Sequence, residues 1–310
     1  MSGFFVPSRS SGFVKLKLDI LRVDSIMRNS RLVVGFLMAW TVLVLPAYAD
    51  EAATSDRIAA THANDEPVAS PLATIVPVQR VESRPVTYMS VDGQPVTGHL
   101  AWPAGKNMGD LPALIVIHEW WGLNDNIRKT SERLAAEGYV TLAVDLYRGE
   151  SGETPKQAMQ LMQLLNADDG AGEANIMGAY DYLAATMSAD NIGIVGWCLG
   201  GRWSLLGSLR MPDQIDAMVM YYGAVTDDKA RLATLEMPIL GHFASKDPIV
   251  PPATVVAFRK ALDELDKDAE IYIYPDTKHA FSNPSGLAYN PEAAELAWSR
   301  TVEFFASNLK

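Results

Sequence analysis

The chain has 310 residues, 48% of them hydrophobic, with 26 Lys/Arg against 37 Asp/Glu and a formal charge of −11. Beyond residue 49 the balance falls to −15 with no basic run, which argues against a nucleic-acid partner because phosphate binding needs a basic face. The single cysteine excludes an intramolecular disulfide, and a chain of this length can bury a full core without one.

In chain order, the first feature is the apolar run at 32–45, with Arg28 and Arg31 before it and Pro46-Ala47-Tyr48-Ala49 after it. A basic start, a short apolar core and a small-x-small end predict a signal peptide over 27–49. The run is short for a membrane span, which needs about 20 apolar residues; an uncleaved anchor is the alternative. Residues 1–26 do not fit a signal peptide, so translation is expected to start at Met27, with 1–26 an overcalled extension. No cysteine stands at the cleavage site, so the mature protein is expected to be periplasmic or secreted, without a stable membrane anchor. Residues 50–83, rich in Ala, Thr, Asp and Pro, read as a flexible leader.

From residue 84 to 310 the pattern predicts one domain. Val86–Ser90 and Val96–Trp102 flank Asp92-Gly93, a hairpin signal. Ala113–His118, Tyr139–Val144, Ile192–Val195, Ala217–Tyr221, Pro238–Phe243 and Glu270–Tyr274 read as strands. Helices are predicted over 125–137, 155–166, 170–186, 199–210, 252–266 and 291–308. This alternation predicts an α/β fold: a mostly parallel central sheet, helices on both faces and an antiparallel hairpin at its N-terminal edge.

The chemistry concentrates at Gly196-Trp197-Cys198-Leu199-Gly200-Gly201, between a strand and a helix. This is the G-x-nucleophile-x-G elbow of the α/β-hydrolase fold, with Cys in place of Ser. The turn is tight, so the flanking residues must be nearly without side chains. The helix after Cys198 aims its positive end at the sulfur and favours thiolate. The Leu199 N–H is left to hold an oxyanion. A buried structural thiol is the alternative; the strand–turn–helix corner and its glycines speak against it.

In this fold an acid and then a histidine follow the nucleophile. His279 lies in a loop after a strand, where α/β chemistry gathers, whereas His242 lies inside a strand. Asp247, in the loop Ser245–Pro248, is the expected orienter of His279; Asp276, three residues before His279, is its rival. Glu119 follows the buried strand at 113–118 and stands where it can hold a neutral thiol until substrate arrives. Trp120 is placed to supply the second oxyanion N–H, and Trp120 and Trp121 either line an acyl pocket or pack as core. The five histidines show no linear metal-ligand spacing, so neither metal nor cofactor is expected.

These motifs, together with Gly122-Leu123-Asn124, Asp145-Leu146-Tyr147, Tyr221-Tyr222-Gly223, Val250-Pro251 and His279-Ala280-Phe281, resemble the dienelactone hydrolase family over roughly residues 84–308. The resemblance implies a monomeric Cys-His-Asp hydrolase without metal or cofactor, opening ester or lactone bonds of small acidic molecules. It implies Cys198, His279 and Asp247 as the triad and Glu119 as the partner of the resting thiol. It also implies an oxyanion hole from Trp120 and Leu199, with Tyr222 at the pocket. The family's dienelactone-cleaving members bind the substrate carboxylate with arginines, one of them four residues after the catalytic histidine. This chain has Asn283 there, and no Arg in 154–166. Arg148 and Arg202 lie near but do not match; Arg202 joins Trp121 and Tyr222 as a candidate pocket residue. The chemistry carries over and the substrate does not. A thiol redox sensor or binding protein, and an acyl transferase or peptidase, remain as other readings of the same fold.

Overall fold

Alternation within a continuous apolar run lets one strand serve two helix layers. The computed structural model describes residues 57–65 and 77–310, and there β3 (Ala113–Ile117) is buried along its whole length. Ile115 and Ile117 face a core shared with Ile194, Met218, Trp203 and Phe258. Leu114 and Val116 face the opposite core, with Val195, Val219, Leu134 and Phe305. Burial on both faces explains why the parallel strands read as unbroken apolar segments.

The sheet comprises β1 (Val81–Val91), β2 (Gln94–Pro103), β3, β4 (Val140–Ala143), β5 (Ile192–Trp197), β6 (Ala217–Tyr221), β7 (Ile239–Ala244) and β8 (Ala269–Tyr274). Its order is β1-β2-β4-β3-β5-β6-β7-β8. β1 and β2 are antiparallel, as is β2 to β4, and every later pairing is parallel. The hairpin turns at Asp92 and Gly93, both at positive φ (50° and 76°), the backbone that a two-residue loop requires. The hairpin strands run longer than their sequence signals, because ladder pairing continues through polar residues such as Glu82 and Arg84.

Before the sheet, residues 57–61 form a helical turn, α1. The main helices follow as α2 (Asp125–Ala136), α3 (Pro155–Asn166), α4 (Asp169–Asp181), α5 (Leu199–Arg210), α6 (Lys229–Leu232), α7 (Pro252–Glu264) and α8 (Pro291–Leu309). α2 and α8 cover one face of the sheet; α4, α5 and α7 cover the other. Side-chain caps at Asn124, Thr154, Asp168 and Asn290 start α2, α3, α4 and α8, each satisfying an otherwise orphaned N–H. The helix expected over 170–186 instead widens into a π turn at Tyr182–Thr186.

The chain order reverses between β3 and β5, which lie side by side. A reversal of this kind opens a crevice at the carboxyl ends of the strands, where open α/β sheets bind ligands. The expected signal peptide at 27–49 and the extension at 1–26 lie outside the described residues. Among the described residues, no helix is long and apolar enough to cross a membrane.

Candidate active site

The elbow after β5 holds Cys198 at φ 54° and ψ −112°, in the left-handed half of backbone space that a side chain enters only under constraint. Two glycines make the turn possible. A Cβ on Gly196 would lie 2.3 Å from the Gly200 carbonyl oxygen, and one on Gly200 would lie 2.3 Å from that of Ile117. The Cys198 N–H is tied to Tyr221 O at 3.0 Å, and its carbonyl accepts from Arg202 N at 3.1 Å. α5 therefore begins at Leu199, whose N–H, in the first turn, has no intrahelical acceptor.

The loops after β7 and β8 bring Asp247 and His279 to that turn. His279 Nε2 lies 3.1 Å from Cys198 Sγ, and its Nδ1 donates to Asp247 Oδ2 at 2.7 Å. The other Asp247 oxygen accepts from Ile249 N at 2.8 Å and Val250 N at 2.9 Å. Asp276, the alternative acid, is instead exposed and paired with Lys246 at 2.7 Å. His242 is buried in β7 between Tyr274 Oη and Thr301 Oγ1, each at 3.0 Å.

The electrostatics favour an ion pair. Burial opposes ionisation of Cys198, but the charge and hydrogen bond of His279, aided by His62, bring the thiol down to about 6. Burial likewise works against a charged His279, yet the Cys198 sulfur and Asp247 raise it to about 10. Between those values the stable form is thiolate–imidazolium. Burial, followed by the nearby Cys198 charge, pushes Glu119 up to about 8, so its carboxyl is neutral at pH 7.

This arrangement differs from the expected resting pair of Glu119 with the thiol. Asn283 Nδ2 donates to Glu119 Oε2 at 2.6 Å, and His279 is the histidine hydrogen-bonded to the sulfur. Asn283, at the position noted for its missing arginine, thus holds the carboxyl group. The physical reason is charge: a carboxylate beside a thiolate would repel it, whereas a neutral acid held by an amide does not.

The remaining motifs tie together the loops around the site. His118 Nδ1 donates to Glu119 O at 2.6 Å while its Nε2 accepts from Leu146 N at 3.1 Å, joining the loops after β3 and β4. Asp145 accepts from Tyr147 N at 3.0 Å and Gly149 N at 2.6 Å, and Tyr147 Oη donates to Trp120 O at 3.0 Å. Trp120 and Trp121 are both buried, their rings 4.8 Å apart. Tyr222, at the end of β6, is buried, with its ring edge-on to His279 at 5.1 Å and its hydroxyl 2.9 Å from Ser282 Oγ. It packs behind the imidazole. Arg202 is not brought into this group: its guanidinium meets Asp169 at 3.1 Å and Asn166 at 3.4 Å.

The residue that sequence reasoning missed is His62. The segment at 50–83 reads as leader, yet Ile58 packs on the core and His62 is only 3% exposed. Its ring lies 4.7 Å from that of Trp120 and 5.6 Å from that of His279. Asp65 Oδ2 holds His62 Nδ1 at 2.7 Å. The ligand atoms of His62 and Cys198 lie within 4.8 Å of each other, and the two side chains interact directly, each shifting the other's proton affinity. Burial lowers the basicity of His62, but Asp65 and Cys198 outweigh it and bring the imidazole up to about 9. The one available signal was a His three residues before an Asp, too weak in a polar stretch to separate from solvent-facing residues.

Residues 96–309 match the model of the dienelactone hydrolase family. The chain belongs to that family. Among its relatives, Protein usf of Aquifex pyrophilus is 33% identical over 226 residues, covering 70% of this chain and 96% of that protein. An Escherichia coli K12 protein provisionally named carboxymethylenebutenolidase is 32% identical over 257 residues, covering 77% of this chain and 93% of that protein. The crystal structure of a provisionally named dienelactone hydrolase from Klebsiella pneumoniae is similar at TM-score 0.64 and 28% identity, covering 74% of this chain and 99% of that one. The dienelactone hydrolase fold and family expected from the motifs are therefore those of this chain, a hydrolase of ester or lactone bonds.

Proposed function

We propose that this member of the family is an exported enzyme that cleaves an ester or lactone bond of a small molecule through a thioester on Cys198. The observation that carries the reading is the line Asp247–His279–Cys198, with contacts of 2.7 and 3.1 Å, at the elbow after β5. Export rests on the sequence at 27–49 alone.

In this mechanism the Cys198 thiolate attacks the carbonyl carbon. The oxyanion is received by the N–H groups of Leu199 and Trp120, each donor worth about 3 kcal/mol of barrier. The tetrahedral intermediate collapses, the C–O bond breaks, and protonated His279 gives its Nε2 proton to the departing oxygen. Neutral His279 then takes a proton from water, and the hydroxide displaces the sulfur. Asp247 keeps the imidazole oriented throughout. Glu119, neutral below about pH 8, stands beside the sulfur without competing for the His279 proton.

A thiolate is also a good leaving group, so the intermediate reverts when the alcohol is poor. Activated esters and enol-lactones are the expected substrates, ahead of amides. The test is mass spectrometry after brief exposure to 4-nitrophenyl acetate. We expect one acetyl group on Cys198 and loss of both adduct and turnover in Cys198→Ala. Undiminished turnover by that variant would overturn the proposal.

A further inference from the structure

His62, His279 and Cys198 each offer one ligand atom, a ring nitrogen or Sγ, and the three lie within 4.8 Å of one another. Both imidazoles are held alike, though their planes meet at 77°. A carboxylate holds each Nδ1 at 2.7 Å, Asp65 for His62 and Asp247 for His279, which turns each Nε2 toward the sulfur. Metal-binding histidines almost always carry this carboxylate on the far nitrogen, because it fixes the tautomer and strengthens the donor. His62 Nε2 is buried without a well-formed hydrogen bond, although a buried polar atom is normally satisfied, and the sulfur of Cys198 is the group it interacts with. The contacts of the line Cys198, His279 and Asp247 close without it.

We propose that His62, His279 and Cys198 form a site for one divalent cation of the zinc class, and that filling it switches the hydrolase off. The switch, unlike the site, rests on the function proposed above. Binding releases the Nε2 proton of each imidazolium to solvent; two neutral imidazoles and a thiolate are then ligands zinc prefers, and three protein ligands leave a fourth position open. Tetrahedral bonds to nitrogen and sulfur of ordinary length place the donors about 3.5 Å apart. His279 and Cys198 are already at 3.1 Å. The widest separation, at most 4.8 Å, needs to close by only about 1.3 Å. The described segment 57–65 brings His62 to the site from outside the sheet. A bound cation takes the sulfur lone pair that attacks the carbonyl and the His279 nitrogen that moves the proton, so the enzyme stops while its thiol is shielded from oxidation.

The experiment uses the full chain, stripped with a chelator and titrated with Co²⁺ as a spectroscopic stand-in for zinc. We expect one cobalt per chain, a thiolate-to-cobalt charge-transfer band and the visible bands of a tetrahedral ion, all displaced by Zn²⁺. Cys198→Ser should remove the charge-transfer band. Asp65→Asn should weaken cobalt binding about tenfold or more, and His62→Ala further still, with circular dichroism showing both variants folded. Absence of the charge-transfer band at saturating cobalt overturns the site, as does unchanged affinity in His62→Ala. Ester turnover separates the two proposals. A stripped chain that is active and loses activity as zinc fills the site supports both. Full turnover by the zinc-saturated chain overturns the switch alone, and an inactive stripped chain overturns the proposed hydrolytic mechanism while the cobalt band still decides the site.

Discussion

At the scale of single residues, the reactivity of Cys198 is set by what surrounds its sulfur. Burial on its own would keep the proton on, but an imidazolium at 3.1 Å reverses that and leaves the thiol near 6. The sign is testable. Below about 6 the sulfur is protonated and inert; above it the thiolate is present, well short of the value of about 8.5 for a free cysteine. We expect the rate of iodoacetamide alkylation to reach half its plateau near pH 6, and the half-point to climb toward the free-thiol value in His279→Ala. A half-point at the free-thiol value in the unaltered chain would contradict this. The motif Gly-Trp-Cys-Leu-Gly-Gly was enough to pick out the sulfur, because a nucleophile elbow is a local steric arrangement written in neighbouring residues.

At the scale of elements, the site stands on how closely α5 approaches the end of β3. Gly200 lies where a methyl group would meet the Ile117 carbonyl at 2.3 Å and the His118 carbonyl at 2.7 Å. Both are backbone atoms, and neither yields as a flexible side chain does. Gly200→Ala should therefore cost about 3 kcal/mol of stability by overpacking, measured as a lowered urea midpoint, and should displace Leu199 N–H from its place beside Cys198. A stability within a few tenths of the original chain would show that α5 can slide. The strand and helix positions were legible because apolar runs and caps are local. The helical turn at 57–61 was not: it is anchored by Ile58 and His62 against residues far along the chain, and its own sequence has no apolar period.

At the scale of the whole molecule, a buried polar network ties the sheet to the last helix. His242 in β7 meets Tyr274 in β8 and Thr301 in α8, while Tyr221 in β6 reaches Thr301 Oγ1 at 2.6 Å. Burial, with Arg300 nearby, holds His242 down to about 3, against about 6.5 in an unfolded chain. Between those values the unfolded state binds a proton that the folded state refuses, so stability falls as the pH falls through that window. Urea midpoints measured from pH 7 downward should decline, and the decline should be shallower in His242→Gln, which keeps hydrogen-bonding capacity but does not titrate. An identical slope in the variant would assign the acid sensitivity elsewhere. His242 reads as a strand residue from sequence, and its role as a structural link appears only when α8 is laid across the sheet.

What the sequence by itself determined is the set of local instructions: strands buried on both faces, the hairpin at Asp92-Gly93, the strained turn at Cys198, and the motifs that carry the family. Each is a steric or periodic property of a few adjacent residues. Only the tertiary structure decided that Asp247 and not Asp276 meets His279, that Asn283 grips Glu119, and that His62 comes in from the leader to face the sulfur. Those meetings depend on which loop ends converge where β3 and β5 lie side by side, and convergence of distant segments is a property of packing that no short stretch of sequence contains.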